Sequence, residues 1–449
     1  MDPAGISRRR QLRRRLMLTL QTDRRYRDCD GTTRRDFLRV GGLGALGLGG
    51  LMQARSAVEA ATGKSSRHTS VVWLWLGGGP THVETFDPKM TAPVEYRSVT
   101  GEVKTRVPGV TLGGNFTGMA QVADKMAFVR SFHHGNSGHG GGTHWVMTGY
   151  NNRGIDNGGL PSRPSIGSIT AKHRGPNHPS TGMPTYVRLG GIGADGPAFL
   201  GTPYAPFGTS GEARKNMSLQ TKVGRLEDRR SLLTGLDRLR RTADRQGVVE
   251  GLNAFEQQAF NLVLGKAPEA FDLKKEDPRT VSKYGGGLGG SMLMARRLCE
   301  AGCGFVTLSY GGWDMHGNIA RSMNGRGPVV DRAVSAFVDD VHQRGLSDNI
   351  LLVVTGEFGR TPKINRNKGR DHWAPLSTLA LAGGGLRMGQ TVGESDAKVY
   401  RPKNDPVTPQ DLMATVFHVL GIDQGIQFIN QGGRPVFMVE NGKPIPSLV

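Results

Sequence analysis

Cysteine is nearly absent from this chain: there are three in 449 residues, at positions 29, 299 and 303. So few thiols exclude a disulfide-stapled scaffold. Cys299 and Cys303 stand four apart and no Cys or His pair answers them, so a zinc knuckle is excluded too. They are either a pair for an oxidising compartment or two small buried apolar residues. Aromatic residues make up only 6%, and none interleaves with basic ones as a base-stacking platform requires. The formal charge of +20 is therefore not read as nucleic-acid binding. Part of it is local: residues 1–39 hold 12 Arg against 5 Asp, a net +7, which leaves +13 spread among acidic residues. No apolar run reaches the roughly 20 residues of a spanning helix, so no transmembrane helix is expected in the mature chain. Internal repeats are also lacking.

The first 61 residues read as a leader. Thr33, Arg34, Arg35, Asp36, Phe37 and Leu38 form a twin-arginine pattern, followed by a mild Gly/Ala-rich apolar segment from Val40 to Met52 and by small residues at Ala54, Ser56, Ala57, Ala60 and Ala61. Export in the folded state by the twin-arginine translocase, to the periplasm or beyond, is the expectation. Residues 62–449 would form the mature domain, and 205–285, charged and helical in pattern, a helical insertion or cap.

Glycine is abundant, at 67 residues, and it gathers where short apolar runs end. The runs Thr69–Leu76, Met126–Ser131, Gly304–Ser309 and Ile350–Val354 read as buried strands. Each is followed by a turn of Gly or Pro with ionisable groups. These turns are Gly77–Pro88 with Glu84, the stretch from His133 to His144, Gly311–Asn318 with Asp314 and His316, and Thr355–Pro362 with Glu357 and Arg360. Arg370, Asp371, His372 and Trp373 follow within a dozen residues. Packing requires none of these charges, and open α/β sheets bind ligands at the carboxyl ends of their strands. A polar site, with metal as the leading explanation, competes here with a set of solvated charged loops. Imidazole and carboxylate are the usual ligands, and imidazole also moves protons. His139 and His144 are therefore proton-transfer candidates, and Thr143, near a helix start, a candidate nucleophile.

Taken together, GGGPTHVETFDPK, HGNSGHGGGTHWVMTG, GGWDMHGN and TGEFGRTPKINRNKGRDHW resemble the domain-of-unknown-function family numbered 1501, over roughly residues 66–440. That family is placed in the alkaline phosphatase and sulfatase superfamily. The resemblance implies an α/β fold with a mostly parallel central sheet sandwiched by helices. It also implies a divalent metal (zinc, calcium, magnesium or manganese) and hydrolysis of phosphate or sulfate esters. Carried over by position, Glu84, Asp314, His316, Glu357, Asp371 and His372 would be metal ligands. Arg360 would clamp the anion. Phe358 stands where related enzymes have His, and no Cys occupies the nucleophile turn, which contradicts formylglycine chemistry. The expected function is an exported metal-dependent hydrolase acting on an anionic ester or a sulfated or phosphorylated glycan. The alternative is a non-catalytic binding protein for anionic glycans that retains the fold.

Overall fold

The structure is a computed structural model that describes residues 68–209 and 267–449. The leader, the twin-arginine pattern and most of the expected helical insertion lie outside the described residues. Residues 68–449 form one compact unit. Its centre is an eight-stranded sheet. In chain order the strands are β1 Ser70–Trp75, β2 Ala127–Val129, β3 Tyr186–Arg188, β4 Phe207–Gly208, β5 Phe305–Ser309, β6 Ile350–Thr355, β7 Leu379–Gly383 and β8 Gln390–Val392. Across the sheet they run β8-β2-β7-β6-β1-β5-β3-β4. Only β7 opposes the rest, lying antiparallel to both β2 and β6; the other pairings are parallel.

The buried runs became strands because both faces are covered. Along β1, Val72 and Leu74 belong to one core with Met292, Leu298, Val334 and Phe337. The intervening Val71, Trp73 and Trp75 belong to a second core with Val146, Ile166, Ile169, Met413 and Phe417. This period-two division is how a strand serves two helical layers. Helices α3 (Leu288–Glu300) and α4 (Ile319–Gln343) supply the first layer. Helices α1 (His139–Thr148), α2 (Ile166–Arg174) and α5 (Pro409–Leu420) supply the second. Each fully buried Leu, Val or Phe contributes about 1.5–3 kcal/mol, so the cores dominate stability. The expected sandwich of helices around a mostly parallel sheet is observed.

Two sequence expectations need correction. The stretch from residue 205 reads as helical in the sequence, yet near its start Phe207–Gly208 extends the sheet beside β3. Two residues are too few to carry a periodic signal. The helical spacing of Val330, Ala333, Phe337 and Val341 predicts a helix from Val329, yet the helix begins at Ile319, capped by the Asn318 side chain, which accepts from Arg321 N–H at 3.3 Å. Pro328 lies inside α4 and faces solvent, while Ile319, Met323, Val330, Val334 and Phe337 hold the helix to the core. Burial of that stripe outweighs the roughly 3 kcal/mol an interior proline costs.

Candidate metal centre

Strands β1, β2, β5 and β6 end at one edge of the sheet, and the segments that follow them meet there. The β1 turn is pressed against its neighbours. A Cβ on Gly78 (φ +114°) would lie 2.5 Å from the Asp314 nitrogen, and one on Gly79 (φ +79°) would lie 2.3 Å from the Phe358 ring. Only glycine permits this backbone and this approach. Between Asp314 and His316, Met315 is buried, so the two polar side chains turn outward together. Arg360 and His372 are paired on a two-stranded ribbon, Gly359–Arg360 against His372–Trp373, that brings the later motif back to the strand ends.

Three histidines and one aspartate converge. His139 Nε2 lies 3.6 Å from Asp314 Oδ2. His316 Nε2 and His372 Nε2 lie 2.9 and 3.1 Å from Asp314 Oδ1. The latter two nitrogens are 3.1 Å apart. Each ring is fixed from its other side. His316 Nδ1 faces Asp371 Oδ1 at 2.7 Å, His139 Nδ1 faces Glu357 Oε1 at 2.8 Å, and His372 Nδ1 faces the Ser137 carbonyl at 2.9 Å. Carboxylates and carbonyls only accept, so each Nδ1 donates, and each neutral ring presents a bare Nε2. Two bare nitrogens at 3.1 Å repel unless a proton or a cation lies between them. This is the way metal-binding histidines are usually held, with the second nitrogen oriented by a carboxylate or carbonyl.

The charges agree with a divalent cation. Asp314, Glu357 and Asp371 bring three carboxylates and Arg360 one guanidinium, a net of −2 with neutral imidazoles. Glu357 Oε1 also accepts the Gly78 N–H at 2.8 Å, whereas its buried Oε2 has no partner. Such an orphan beside the cluster is what an ion or a water would complete. Burial works to raise the Asp314 carboxyl, but the hydrogen bond and charge of Arg360 outweigh it and hold the group down at about 2. His139 is raised, chiefly by its hydrogen bond to Glu357. Burial lowers His372. The side chains of His139, Asp314, His316 and His372 remain 45, 45, 46 and 26% exposed, so the cluster opens to solvent.

The structure redistributes the expected roles. Asp314, His316 and His372 meet as expected. His139, expected to move protons, joins them as a fourth donor. Asp371 and Glu357, expected as ligands, instead orient His316 and His139 from behind. Glu84 is not at the centre: it is fully buried and paired with Arg370 at 2.8 Å, and it accepts the Thr81 hydroxyl at 2.6 Å. Arg360, expected as an anion clamp, is fully buried. It donates to the Gly78 and Gly79 carbonyls and to Asp314, so its fork is committed to holding that carboxylate. His144 lies on the other side of α1, with Nδ1 on the Tyr150 carbonyl at 2.7 Å and Nε2 accepting Ser162 N–H at 3.3 Å. Thr143 spends its hydroxyl on the His139 carbonyl at 2.6 Å. The sequence reading missed the Ser137 carbonyl, which orients His372; a backbone acceptor leaves no residue-type signal. Among the described residues no helix is long and apolar enough to cross a membrane.

Comparisons with known proteins agree with the motifs. Among solved structures, the chain is similar to PsFucS1 sulfatase from Pseudoalteromonas sp., at 11% identity and TM-score 0.42, covering 83% of this chain and 70% of that one. It is similar to the lipoteichoic acid synthase LtaP from Listeria monocytogenes at 11% and 0.33, covering 85% and 76%. For the phosphonate monoester hydrolase of Agrobacterium radiobacter the values are 9% and 0.38, covering 85% and 77%. TM-scores this low carry no functional argument. No curated protein matches the chain. The sequence profile described as "Protein of unknown function (DUF1501)" matches residues 68–449, every described strand and helix included, and the chain belongs to that family.

Proposed function

We propose that this protein is a metal-dependent hydrolase of phosphate or sulfate esters. One observation carries the reading: three bare Nε2 atoms and the Asp314 carboxylate converge at the strand ends, on a cluster open to solvent. His139, His316, His372 and Asp314 would hold the ion. Their nitrogen-rich donor set suits zinc or a similar transition metal better than calcium or magnesium, which prefer oxygen. A bound divalent ion supplies polarisation of an ester oxygen and acidification of water. The chain's own residues prepare for that. Asp371, Glu357 and the Ser137 carbonyl hold the imidazoles as Nδ1–H tautomers, and Arg360 fixes Asp314 by tying it to the Gly78–Gly79 backbone. A purely structural site would bury all its donors, whereas this one leaves a face for substrate. The Thr33–Leu38 pattern supports action outside the cytoplasm after export by the twin-arginine translocase.

The test is metal content, measured on protein purified without chelator from a host with a working twin-arginine pathway. About one equivalent of a divalent ion is expected in the wild type and none in Asp314→Ala/His372→Ala. Hydrolysis of p-nitrophenyl phosphate or sulfate should follow metal occupancy. A folded protein that takes up no metal would overturn the proposal. Metal uptake with no turnover across a broad ester panel would leave the binding-protein alternative.

A further inference from the structure

Directly beside His316 the chain forms a tight strap, residues 361–371. Its backbone is locked by Asn365, whose side-chain oxygen accepts the N–H groups of Asn367 and Gly369, each at 2.9 Å, and whose amide donates to the His316 carbonyl at 3.1 Å. The strap is hydrogen-bonded to the turn carrying the metal candidates: Asn318 N–H reaches the Asn367 carbonyl at 3.0 Å and Ile319 N–H the Lys368 carbonyl at 2.9 Å. Gly369 is so close that a Cβ there would lie 2.1 Å from the His316 carbonyl carbon. On this rigid frame stand three exposed cations, Lys363, Arg366 and Lys368, with Arg321 exposed at the start of the adjoining α4. Lys368 adopts a left-handed backbone (φ +57°), a conformation that a side chain other than Asn or Gly seldom takes.

These four have no ion pair or side-chain hydrogen bond among the described residues. Elsewhere some exposed lysines pair with acids, as Lys275 with Glu269, Lys283 with Asp339 and Lys403 with Glu394, while others, such as Lys104, have no ion pair among the described residues; the strap differs in gathering its unpaired cations on one frame. Of the acids at the strap, Asp371 is already held by His316 and Asn365 and Glu84 by Arg370, while Glu95 meets the strap through its backbone carbonyl, which accepts Ile364 N–H. Unpaired cations next to a site raise the local concentration of anions and steer them in.

We propose that the 361–371 strap with Arg321 is a second anion subsite, so that the preferred substrate is a polymer carrying sulfate or phosphate ester groups on successive units. One group would lie at the histidine cluster while its neighbours rest on Lys363, Arg366 and Lys368. The proposal rests on the hydrolase reading for the first group, while the subsite itself can be tested alone. No aromatic side chain of the strap is available for base stacking, which disfavours nucleic acid.

The experiment measures binding of the full chain to dextran sulfate, with neutral dextran and a single-stranded oligonucleotide as comparisons. The variant is Lys363→Ala/Arg366→Ala/Lys368→Ala. A control with the same charge change is Lys104→Ala/Arg106→Ala/Arg434→Ala, three exposed positions outside the strap. The strap variant should bind about tenfold more weakly, with a shallower salt dependence, and the control should bind like the wild type. Equal losses in both variants would reduce the effect to net charge and overturn the proposal. So would no binding by the wild type, or equal affinity for the oligonucleotide. Metal content is read on the same samples. A metal-free wild type that still shows the strap effect would sink the hydrolase reading while supporting the subsite.

Discussion

Replacing Glu84 with Gln should destabilise the protein while leaving its metal uptake unchanged. Glu84 and Arg370 are both fully buried. The guanidinium meets both carboxylate oxygens, with Nε at 3.2 and 3.0 Å and Nη2 at 2.8 Å. It also donates to the carbonyls of Thr361, Pro362 and Arg97. Gln preserves the shape but leaves a buried cation whose only partners are dipoles. Breaking one side of such a pair costs about 3–5 kcal/mol. Because the carbonyls already solvate part of the charge, the lower half, roughly 3–4 kcal/mol, is expected. For the 382 residues from 68 to 449, unfolding entropy near 2.1 cal/mol/K per residue totals about 0.8 kcal/mol/K, so Tm should fall by about 4–5 °C. Differential scanning calorimetry reads the shift and plasma emission spectrometry reads the metal. The double variant Glu84→Leu/Arg370→Met should recover part of the loss, since an apolar pair removes the stranded charge. A Glu84→Gln protein that keeps its Tm but loses metal would refute this account and return Glu84 to the ligand set.

Three further outcomes are expected. Asp371→Asn keeps every donor to the ion but weakens the hold on His316, so metal affinity should drop about 10- to 100-fold in competition with a chromogenic chelator; unchanged affinity would remove Asp371 from the centre. Gly78→Ala places a methyl against the Asp314 backbone, so the folded yield and the metal content should fall together, and a normal protein would contradict the tight turn. Finally, burial tends to raise Glu276, but hydrogen bonds from Arg297 and Arg296 outweigh it and hold the group down at about 2. Its folded value is depressed from 4.5, so its stabilisation is present above about pH 4.5 and is lost as pH falls toward about 2. The difference in stability between wild type and Glu276→Gln, followed by denaturant unfolding, should narrow over that window; a gap that stays constant would sink the linkage.

Much of the fold is legible in the residues. The apolar runs at 69–76, 304–309 and 350–354 stand out because a parallel strand buried on both faces has no polar phase. The cap at Thr408 with Pro409 is a local signal, and the structure completes it as a capping box with Asp411. Short edge strands such as Phe207–Gly208 escape because two residues carry no period, and Pro328 hides the first turns of α4 because burial overrides the local rule. Which edge of the sheet gathers the ionisable side chains also follows from sequence alone, since such residues crowd the turns where strands end.

The division of labour within that edge does not. Glu84, Glu357 and Asp371 are equally good ligands as residue types, and so are His139, His144 and His372. Only the packed structure pairs Glu84 with Arg370, turns His144 to Tyr150 and Ser162, and aims the Nε2 atoms of His139, His316 and His372 at Asp314. The physical reason is that a ligand is defined by where its lone pair points and by what holds its other side. Both are set by tertiary contacts, several of them 200 to 300 residues apart along the chain, such as His139 with Glu357 at a separation of 218 and Arg370 with Glu84 at 286.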